Sequence, residues 1–361
     1  MSRAILASLI RLRALLAKEF RQLLRDPRMR FFVVVPPVTQ LIIFAYAATF
    51  DVRDAHVAVV DQARTAETRE LLQAIGATGH YTLHPFPDMA AAAAAMDRNR
   101  VRAIVRFAPD FPQERVVQVI ADGSDSNSAQ LVAGQLQQIL RDNAMARAGA
   151  RPPVVLEERA WYNPNLDDRD YFVPGIIANV VLIATMILTA MSVVRERELG
   201  TLERLRVTPL AKLEFLLGKM IPVAALGLLD VLLVAALAVF WFEVPFRGSV
   251  AALLLGSLLF LMSSLGLGLL ISSYSHTQQQ AMLLSFFVIM PAIVLSGFAF
   301  PISNMPEIVQ PLTYLDPLRY YLVVIRDVFL KGSGVTDHPF QYGMMVLLGV
   351  GALLLSMRRI R

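Results

Sequence analysis

The sequence predicts a polytopic α-helical membrane protein with six transmembrane helices, an N-terminal amphipathic elbow helix, and an α/β extracytoplasmic domain between spans one and two. Three observations support this fold. Apolar residues make up 56% of the 361 residues and charged residues only 17%, whereas a soluble chain has about 45–50% and about 25%. Six apolar runs approach or exceed the length of about 20 residues that a helix needs to cross a bilayer. One polar segment of domain size, residues 51–170, separates the first two runs.

The segment boundaries follow from the charged residues that end each apolar run. The third run is interrupted once, by Asp230. The predicted spans are residues 31–50, 171–194, 216–242, 248–273, 277–300 and 339–357. The segments between them are an interfacial helix (1–30), the outer domain (51–170), an inner loop (195–215), an outer re-entrant or interfacial segment (301–338) and a basic tail (358–361).

The distribution of lysine and arginine predicts the orientation. Residues 1–30, 195–219 and 358–361 together contain seventeen of these residues, and the short segments of the opposite side contain four. Because short cytoplasmic segments carry the excess of basic residues, both termini are expected on the cytoplasmic side of the membrane. This bias already explains the basic N-terminus, so no nucleic-acid partner is expected.

The N-terminal segment has the pattern of a helix that lies in the membrane surface. Leu9, Leu12, Leu16 and Phe20 recur at spacings of three and four, and cations fall on the other face. Such a helix contacts membrane lipids with its apolar side. Arginines interrupt any signal-peptide core, and Pro27 is expected to break the helix before the first span. A simple anchor and a role in motion both stay open.

Residues 51–170 alternate predicted strands and helices, with 13 basic and 17 acidic residues. The pattern predicts a compact α/β or α+β domain that includes a final strand over residues 154–161. Residues 122–127 are similar to a calcium loop, but Ala133 stands where the bidentate glutamate is expected, which favours a turn and a helix cap. The chain has no cysteine, and no metal site or catalytic constellation is predicted.

The inner loop carries the pattern that bears on mechanism. Span two is expected to continue as a helix to Glu198, and Gly200 is expected to cap it. Thr201 can cap a short helix that ends at Thr208 and Pro209. A rigid charged helix of this kind could dock on a cytoplasmic partner and transmit force to two spans. A solvated loop with a charged surface is the alternative.

Residues 195–210 resemble the signature loop of type-2 ATP-binding-cassette (ABC) exporter permeases. Residues 122–127, 161–165 and 172–175 resemble the outer domain and the entry to span two in the bacterial drug-export branch. Residues 296–306, followed by Asp316, Tyr320 and Arg326, resemble its last outer loop. The resemblance covers nearly the whole chain in the expected order. One departure is Leu199, where the family more often has a charged or small polar residue.

The resemblance implies a dimer, formed with a second copy or with a sibling permease. It also implies two copies of an ABC ATPase subunit and, in the bacterial branch, often a periplasmic adaptor and an outer-membrane channel. The sequence contains no phosphate-binding G-x-x-x-x-G-K-[ST] motif, so the chain is expected to be no enzyme and to bind no cofactor, with ATP and Mg²⁺ used by the partner. The resemblance assigns ATPase coupling to Glu196, Glu198, Gly200, Thr201, Leu202, Glu203, Arg204, Leu205, Arg206, Thr208 and Pro209.

Two further features fall inside or beside the membrane. Asp230 is an ionisable residue within a span, which leaves three alternatives: a pathway residue, a buried hydrogen-bonding residue, or a protonated carboxyl. An outer gate is predicted where the fifth span breaks, at Gly297, Phe298, Phe300 and Pro301. The helix after this break has one apolar face, with Arg319 and Arg326 on the other, and is expected either to cover the pathway or to anchor in the interface.

The function expected from these features is export of a drug-like, amphiphilic or lipid molecule by an ABC-type permease. An ion-driven secondary transporter usually shows internal repeats and several ionisable residues within its spans, and neither is found here. A membrane sensor would need a larger cytoplasmic output module than residues 195–215. Both remain as alternative functions.

Overall fold

The computed structural model describes residues 3–25, 27–47, 55–124, 126–147, 161–164, 167–200 and 211–359. The chain divides into two compact units. One unit comprises Met1–Thr49 and Ala160–Arg361, and the other comprises Phe50–Arg159. The described helices and strands, in chain order, are α1 (Arg3–Arg25), α2 (Pro27–Ala47), β1 (Ala55–Asp61), α3 (Ala66–Ala77), β2 (Tyr81–Pro85), α4 (Met89–Asp97), β3 (Ala103–Phe107), α5 (Phe111–Glu114), β4 (Val117–Ala121), α6 (Ser126–Arg147), α7 (Asp168–Glu198), α8 (Lys212–Phe240), α9 (Val250–Tyr274), α10 (Gln278–Leu295), α11 (Pro317–Arg326) and α12 (Pro339–Arg359).

Within the described residues, five helices are long and apolar enough to cross a membrane: α7, α8, α9, α10 and α12. The helix that contains the predicted first span, α2, has a shorter apolar stretch, Val34–Tyr46. The prediction of a polytopic helical protein is therefore confirmed. The count of six spans, with α2 as the first, stays a prediction.

Helix α7 is the centre of the helical unit, and it packs against α2, α8, α9, α10 and α11. Small residues allow this close packing, as is usual between membrane helices. A Cβ atom at Gly268 of α9 would lie 2.8 Å from the carbonyl oxygen of Met186, and one at Gly227 of α8 would lie 2.8 Å from Thr185 Cγ2. At these two glycines α8 and α9 therefore approach α7 closely.

Local backbone signals set two helix ends, of which one differs from the predicted boundary and one agrees with it. Helix α10 ends at Leu295, five residues before the predicted end of the span, because Gly297 adopts a left-handed conformation with φ +83°. Pro291 lies inside this helix. At the N-terminus, Pro27 begins α2, which agrees with the predicted break after α1.

The helix that follows the break, α11, is buried among the spans. Its predicted apolar face, which continues into the next turn, is almost completely inaccessible at Leu318, Tyr321, Leu322, Ile325 and Phe329. The Tyr321 ring stacks on Phe260 of α9 at 4.4 Å, and its hydroxyl lies 2.7 Å from Ser257 Oγ. Within this helix Val323 is the exposed residue, with 40% of its surface accessible, so the helix packs against its neighbours over most of its circumference.

The second unit is an α/β domain built on a four-stranded sheet with the order β2-β1-β3-β4. Strand β1 is parallel to β2 and β3, and β4 is antiparallel to β3. Helices α3 and α6 cover one face through Leu71, Ile75, Val132 and Leu136, and α4 covers the other through its buried alanines. This agrees with the predicted alternation of strands and helices.

Three details of this unit refine the sequence analysis. The sequence pattern predicts a strand over residues 115–121, but β4 begins at Val117, because the short helix α5 ends at Glu114 and Arg115 follows it with φ +54°. Asp122 accepts a hydrogen bond from the Ser124 N–H at 3.0 Å, as in a turn, and the described residues contain no group of three or more His or acidic side chains that could hold a metal. The predicted strand over 154–161 lies, except for Trp161, outside the described residues.

Candidate coupling site and outer gate

The last turn of α7 is where the sequence predicts the start of the coupling loop. The helix continues to Glu198, and Gly200 follows with φ +67° and donates its N–H to the Arg197 carbonyl. Both features agree with the predicted extension and cap. The predicted short helix lies outside the described residues, together with the coupling residues Thr201, Leu202, Glu203, Arg204, Leu205, Arg206, Thr208 and Pro209.

A cluster of alternating charges joins this turn to α1 and α8. Lys219 Nζ of α8 donates to Glu196 Oε1 of α7 at 2.6 Å and to Glu19 Oε1 of α1 at 2.8 Å. Lys18 Nζ lies 2.9 Å from Glu196 Oε1 and 3.2 Å from Glu19 Oε1. Lys219 is buried, with 3% of its surface exposed, and so are both glutamates. We call these four residues the elbow cluster.

The elbow cluster balances its own charge, which is the condition for burying ions at low cost. Two ammonium groups face two carboxylates within hydrogen-bonding distance. Burial lowers the pKa of Lys18, but the hydrogen bond and charge of Glu196, with a further contribution from Glu19, outweigh burial and raise it above its ordinary value. Lys18 therefore stays charged at neutral pH.

A second set of contacts fixes α1 along the start of α8. Glu214 accepts two hydrogen bonds from the Arg11 guanidinium, at 3.0 and 3.2 Å, and one from Ser8 Oγ at 2.5 Å. One turn further along α8, Gly218 leaves space for Leu15, whose Cδ2 would lie 2.2 Å from a Cβ at that position. Helix α1 is thus joined to α8 by ionic and apolar contacts over several turns.

A third set of contacts joins α7 to the turn between α9 and α10. The Glu198 carboxylate accepts from the backbone N–H of Gln278 at 2.8 Å and also from its side-chain amide. Arg197 Nη1 donates to the Ser275 carbonyl at 2.6 Å. Because Gln278 is the first residue of α10, the Glu198 carboxylate also lies where a helix N-terminus favours negative charge. The last turn of α7 therefore contacts α1, α8 and the α9–α10 turn at once.

The residues predicted as an outer gate divide into two groups. The Phe298 ring packs on Gly175 of α7, where a Cβ atom would lie 2.7 Å from the ring, and Phe172 meets the same ring edge-on at 5.9 Å. Gly297 provides the turn. In contrast, 60% of the Phe300 surface is exposed, and Pro301 is exposed as well. The structure brings Gly297 and Phe298 against α7 but leaves Phe300 and Pro301 at the surface.

Arg326 holds this turn in place, a role that the sequence pattern missed. Its guanidinium donates to the carbonyls of Gly297 and Phe298, at 3.4 and 3.5 Å, and lies 3.9 Å from the centre of the Tyr171 ring. The sequence pattern placed Arg326 on the face opposite the apolar one, and the structure places the turn at Gly297 and Phe298 against that side chain. The helical pattern showed which residues share a face, but it could not show that a backbone turn lies opposite Arg326.

Asp230 lies within the packed part of α8, with 1% of its surface exposed. Its Oδ1 atom has no hydrogen-bond partner among the described residues. One turn away, Gly227 contacts Thr185 and Leu261, and Thr185 Oγ1 lies 2.9 Å from Ser264 Oγ. Asp230 therefore faces a helix interface and not lipid, although the three alternative roles stay open.

Comparison with known proteins identifies the family. The family model described as "ABC-2 family transporter protein" matches residues 27–358. The chain belongs to the ABC-2 transporter family. Family membership makes it a membrane permease component and not an enzyme, with the ATPase on a separate subunit.

Relatives of similar length include several permeases of Escherichia coli K12. The probable multidrug ABC transporter permease YbhR is 36% identical over 337 residues, which are 90% of this chain and 91% of the relative. The probable multidrug ABC transporter permease YbhS is 34% identical over 336 residues, or 90% and 89% of the two chains. The inner membrane transport permease YhhJ is 26% identical over 367 residues, or 95% of each. This chain is thus a bacterial ABC-2 type permease.

Proposed function

We propose that this chain is the permease of an ATP-driven exporter that moves a drug-like, amphiphilic or lipid molecule across the bacterial inner membrane. The family match over residues 27–358, with relatives named as multidrug permeases, is the observation that supports this most strongly. In this proposal the chain crosses the membrane six times, with α2 as the first span. Both termini and the inner loop are cytoplasmic, and the α/β unit is extracytoplasmic.

The proposed assembly contains two permeases, as two copies or with a sibling chain, and two ABC ATPase subunits docked at the inner loops. ATP and Mg²⁺ bind to the ATPase subunits. A periplasmic adaptor and an outer-membrane channel would carry the exported molecule onward in a cell with two membranes. The cytoplasmic position that we propose for the inner loop follows from the basic residues around it.

Force from the ATPase would enter through residues 195–215 and reach the spans through the last turn of α7. Because Glu196 binds Lys219 and Glu198 binds Gln278, a displacement of this turn acts on α8 and α10 together. Because Lys219 also binds Glu19, helix α1 would move with them. In this proposal the elbow helix takes part in motion and is more than an anchor.

The proposal is tested by reconstituting the permease in vesicles with and without its ATPase. We expect export that requires ATP and both subunits. Replacing Glu203 and Arg204 by alanine should lower substrate-stimulated ATP hydrolysis about fivefold or more, since a coupling of about 1 kcal/mol is lost. The control is Glu307→Ala, on an exposed residue outside the loop.

Two results would contradict the proposal. Transport by the permease alone, driven by an ion gradient, would support the secondary-transporter alternative. Unchanged coupling in the loop variant, with normal assembly of the two subunits, would remove the loop from the force pathway.

A further inference from the structure

The α/β unit contains a cleft that the proposed permease mechanism does not use. The cleft lies between β4 and α6 and has a volume of about 820 Å³. Sites for small molecules usually measure about 300–1,000 Å³. All of its lining residues belong to the unit Phe50–Arg159, so it is separate from the coupling site and the outer gate.

Three arginines and two acidic residues line the cleft: Arg106, Arg115, Arg141, Asp110 and Glu114. None of them forms an ion pair in the described part of the unit. In the lining of the cleft, positive side chains therefore exceed negative ones by one. No carboxylate of the described residues forms an ion pair with any of the three arginines. An anion would be attracted to this cleft.

The side chain of Arg106 is held in place by neighbouring side chains of the sheet. It is half-buried in the sheet, and its two terminal nitrogens reach the side-chain oxygens of Gln118 and Gln62 at 3.4 Å each, which is long for a hydrogen bond. Its Nε atom is buried and has no acceptor among the described residues. Because their two hydrogen bonds are long, the terminal nitrogens of Arg106 could bind a stronger acceptor, such as the oxygen of an anionic ligand.

The rest of the cleft is largely apolar. The cleft is lined by the consecutive residues 115–119, which form the start of β4 and the two residues before it. Successive side chains of a strand point to opposite faces of the sheet. The cleft must therefore run along the edge of β4. Val117 and Val119 line the cleft together with Leu140 and Ala144 of α6. A ligand here would place apolar surface beside the strand and an acidic group beside the arginines.

We propose that this cleft binds an anionic amphiphile, a molecule with one sulfate, phosphate or carboxylate group and an apolar body. Arg106 and Arg141 bind the anionic group, and the valines of β4 with Leu140 contact the apolar body. The site goes beyond the proposed permease function. It does not depend on that function, because binding requires neither the ATPase nor transport.

The absence of cysteine allows a direct test in the whole permease. An Ala144→Cys variant in lipid nanodiscs is labelled with a polarity-sensitive fluorophore, so that the signal comes from the cleft. The label is titrated with octyl sulfate, with octyltrimethylammonium and with inorganic sulfate. We expect saturable binding of octyl sulfate, and binding of the other two that is weaker by about tenfold or more.

Substitutions distinguish the cleft from general partition into lipid. Adding Arg106→Gln, or Arg141→Gln on the exposed face of α6, should weaken octyl sulfate binding about tenfold. Arg98→Gln changes an exposed arginine of the same unit outside the cleft and should leave binding unchanged. Arg141→Gln keeps the test valid if Arg106→Gln disturbs the sheet.

Three outcomes would overturn the proposal. Equal binding of octyltrimethylammonium would show that the cleft does not select for a negative charge. Equal binding of inorganic sulfate would show that the apolar wall is not used. An unchanged titration in both cleft variants would show that the label reports partition into the bilayer.

Discussion

At the scale of single residues, the elbow cluster is the feature with the largest energetic consequence. Lys219 is shared by two carboxylates that come from helices far apart in sequence, Glu19 and Glu196. A buried ion pair adds little net stability compared with apolar residues, but breaking one is costly because the remaining charge stays buried. Through Lys219 the elbow cluster therefore joins α1 to both α7 and α8.

We predict that Lys219→Met lowers the free energy of unfolding by up to about 3–5 kcal/mol, since Glu19 and Glu196 lose their buried cation and keep, within the elbow cluster, the half-exposed Lys18. Thermal unfolding of the purified permease in detergent would measure this loss. Adding Glu196→Gln to Lys219→Met removes one of the two carboxylates, so it should recover part of the stability.

The matched control for this prediction is Lys331→Met. Lys331 also forms an ion pair, with Asp327 at 2.7 Å, but 51% of its side chain is exposed. Exposed pairs contribute about 0.2–1 kcal/mol. If both variants lost the same stability, the elbow cluster would be no more important than a surface pair.

At the scale of one element, the start of α11 combines a helix cap with a buried carboxyl. Asp316 is 6% exposed, and its Oδ1 accepts from the Leu318 N–H at 2.9 Å. Burial raises the pKa of Asp316 to about 7, although the hydrogen bond from Leu318 and the charge of Arg319 lower it. The ordinary value is about 3.9.

This shift predicts a pH dependence of stability. Between about pH 4 and pH 7 the folded state binds the proton and the unfolded state does not, so the free energy of unfolding falls as the pH rises and levels off above 7. The upper limit of this loss is about 4 kcal/mol, at roughly 1.4 kcal/mol per pKa unit. Asp316→Asn keeps an oxygen for the cap but cannot ionise, so it should remove this loss.

Unfolding midpoints at pH 5 and pH 8 would check the prediction in detergent. Asp337→Asn is the control, because Asp337 also accepts a backbone hydrogen bond, from Gly334 at 2.7 Å, but lies exposed. An Asp316→Asn variant with the same pH dependence as the unchanged protein would show that Asp316 does not cause it.

The elements themselves were largely predictable from sequence, because their signals are local. Apolar runs, Pro27 and Gly200 predicted helix ends, and alternating short segments predicted the sheet. Contacts between distant elements were not predictable. Nothing near Lys219 indicates Glu19 as its partner, and nothing near Arg326 indicates the turn at Gly297, since both pairings depend on how the helices pack.

The boundaries that were wrong also have local physical causes. Strand β4 starts two residues late because Arg115 caps the short helix α5, in a region where Pro109 and Pro112 indicate only a turn. Helix α10 ends early because a glycine with positive φ overrides an apolar run that continues beyond it. Apolar content identifies what can be buried, but backbone conformation decides where a helix stops.

At the scale of the whole molecule, the orientation can be checked by labelling single cysteines. We predict that a membrane-impermeant maleimide labels Gln113→Cys and Glu307→Cys variants in intact spheroplasts, because both sites lie in segments expected outside. His276→Cys, in the α9–α10 turn, should react only after the membrane is disrupted. All three positions are exposed within their units, so access is set by the membrane.

Labelling of His276→Cys in intact spheroplasts would reverse the proposed orientation. If Gln113→Cys and Glu307→Cys fell on opposite sides, the count of six spans would be wrong. Because the native chain has no cysteine, the unsubstituted protein gives the labelling background for every variant.

Helices α7 and α10 are joined near both ends, by Glu198 with Gln278 at one and by Phe298 with Gly175 at the other. Two helices held together near both ends cannot separate by a hinge rotation at one end. They can only move as one rigid body or bend between the two contacts. Pro291 leaves α10 without one backbone hydrogen bond between those contacts. If these two helices separate during export, bending of α10 at that proline is the deformation that breaks the fewest contacts.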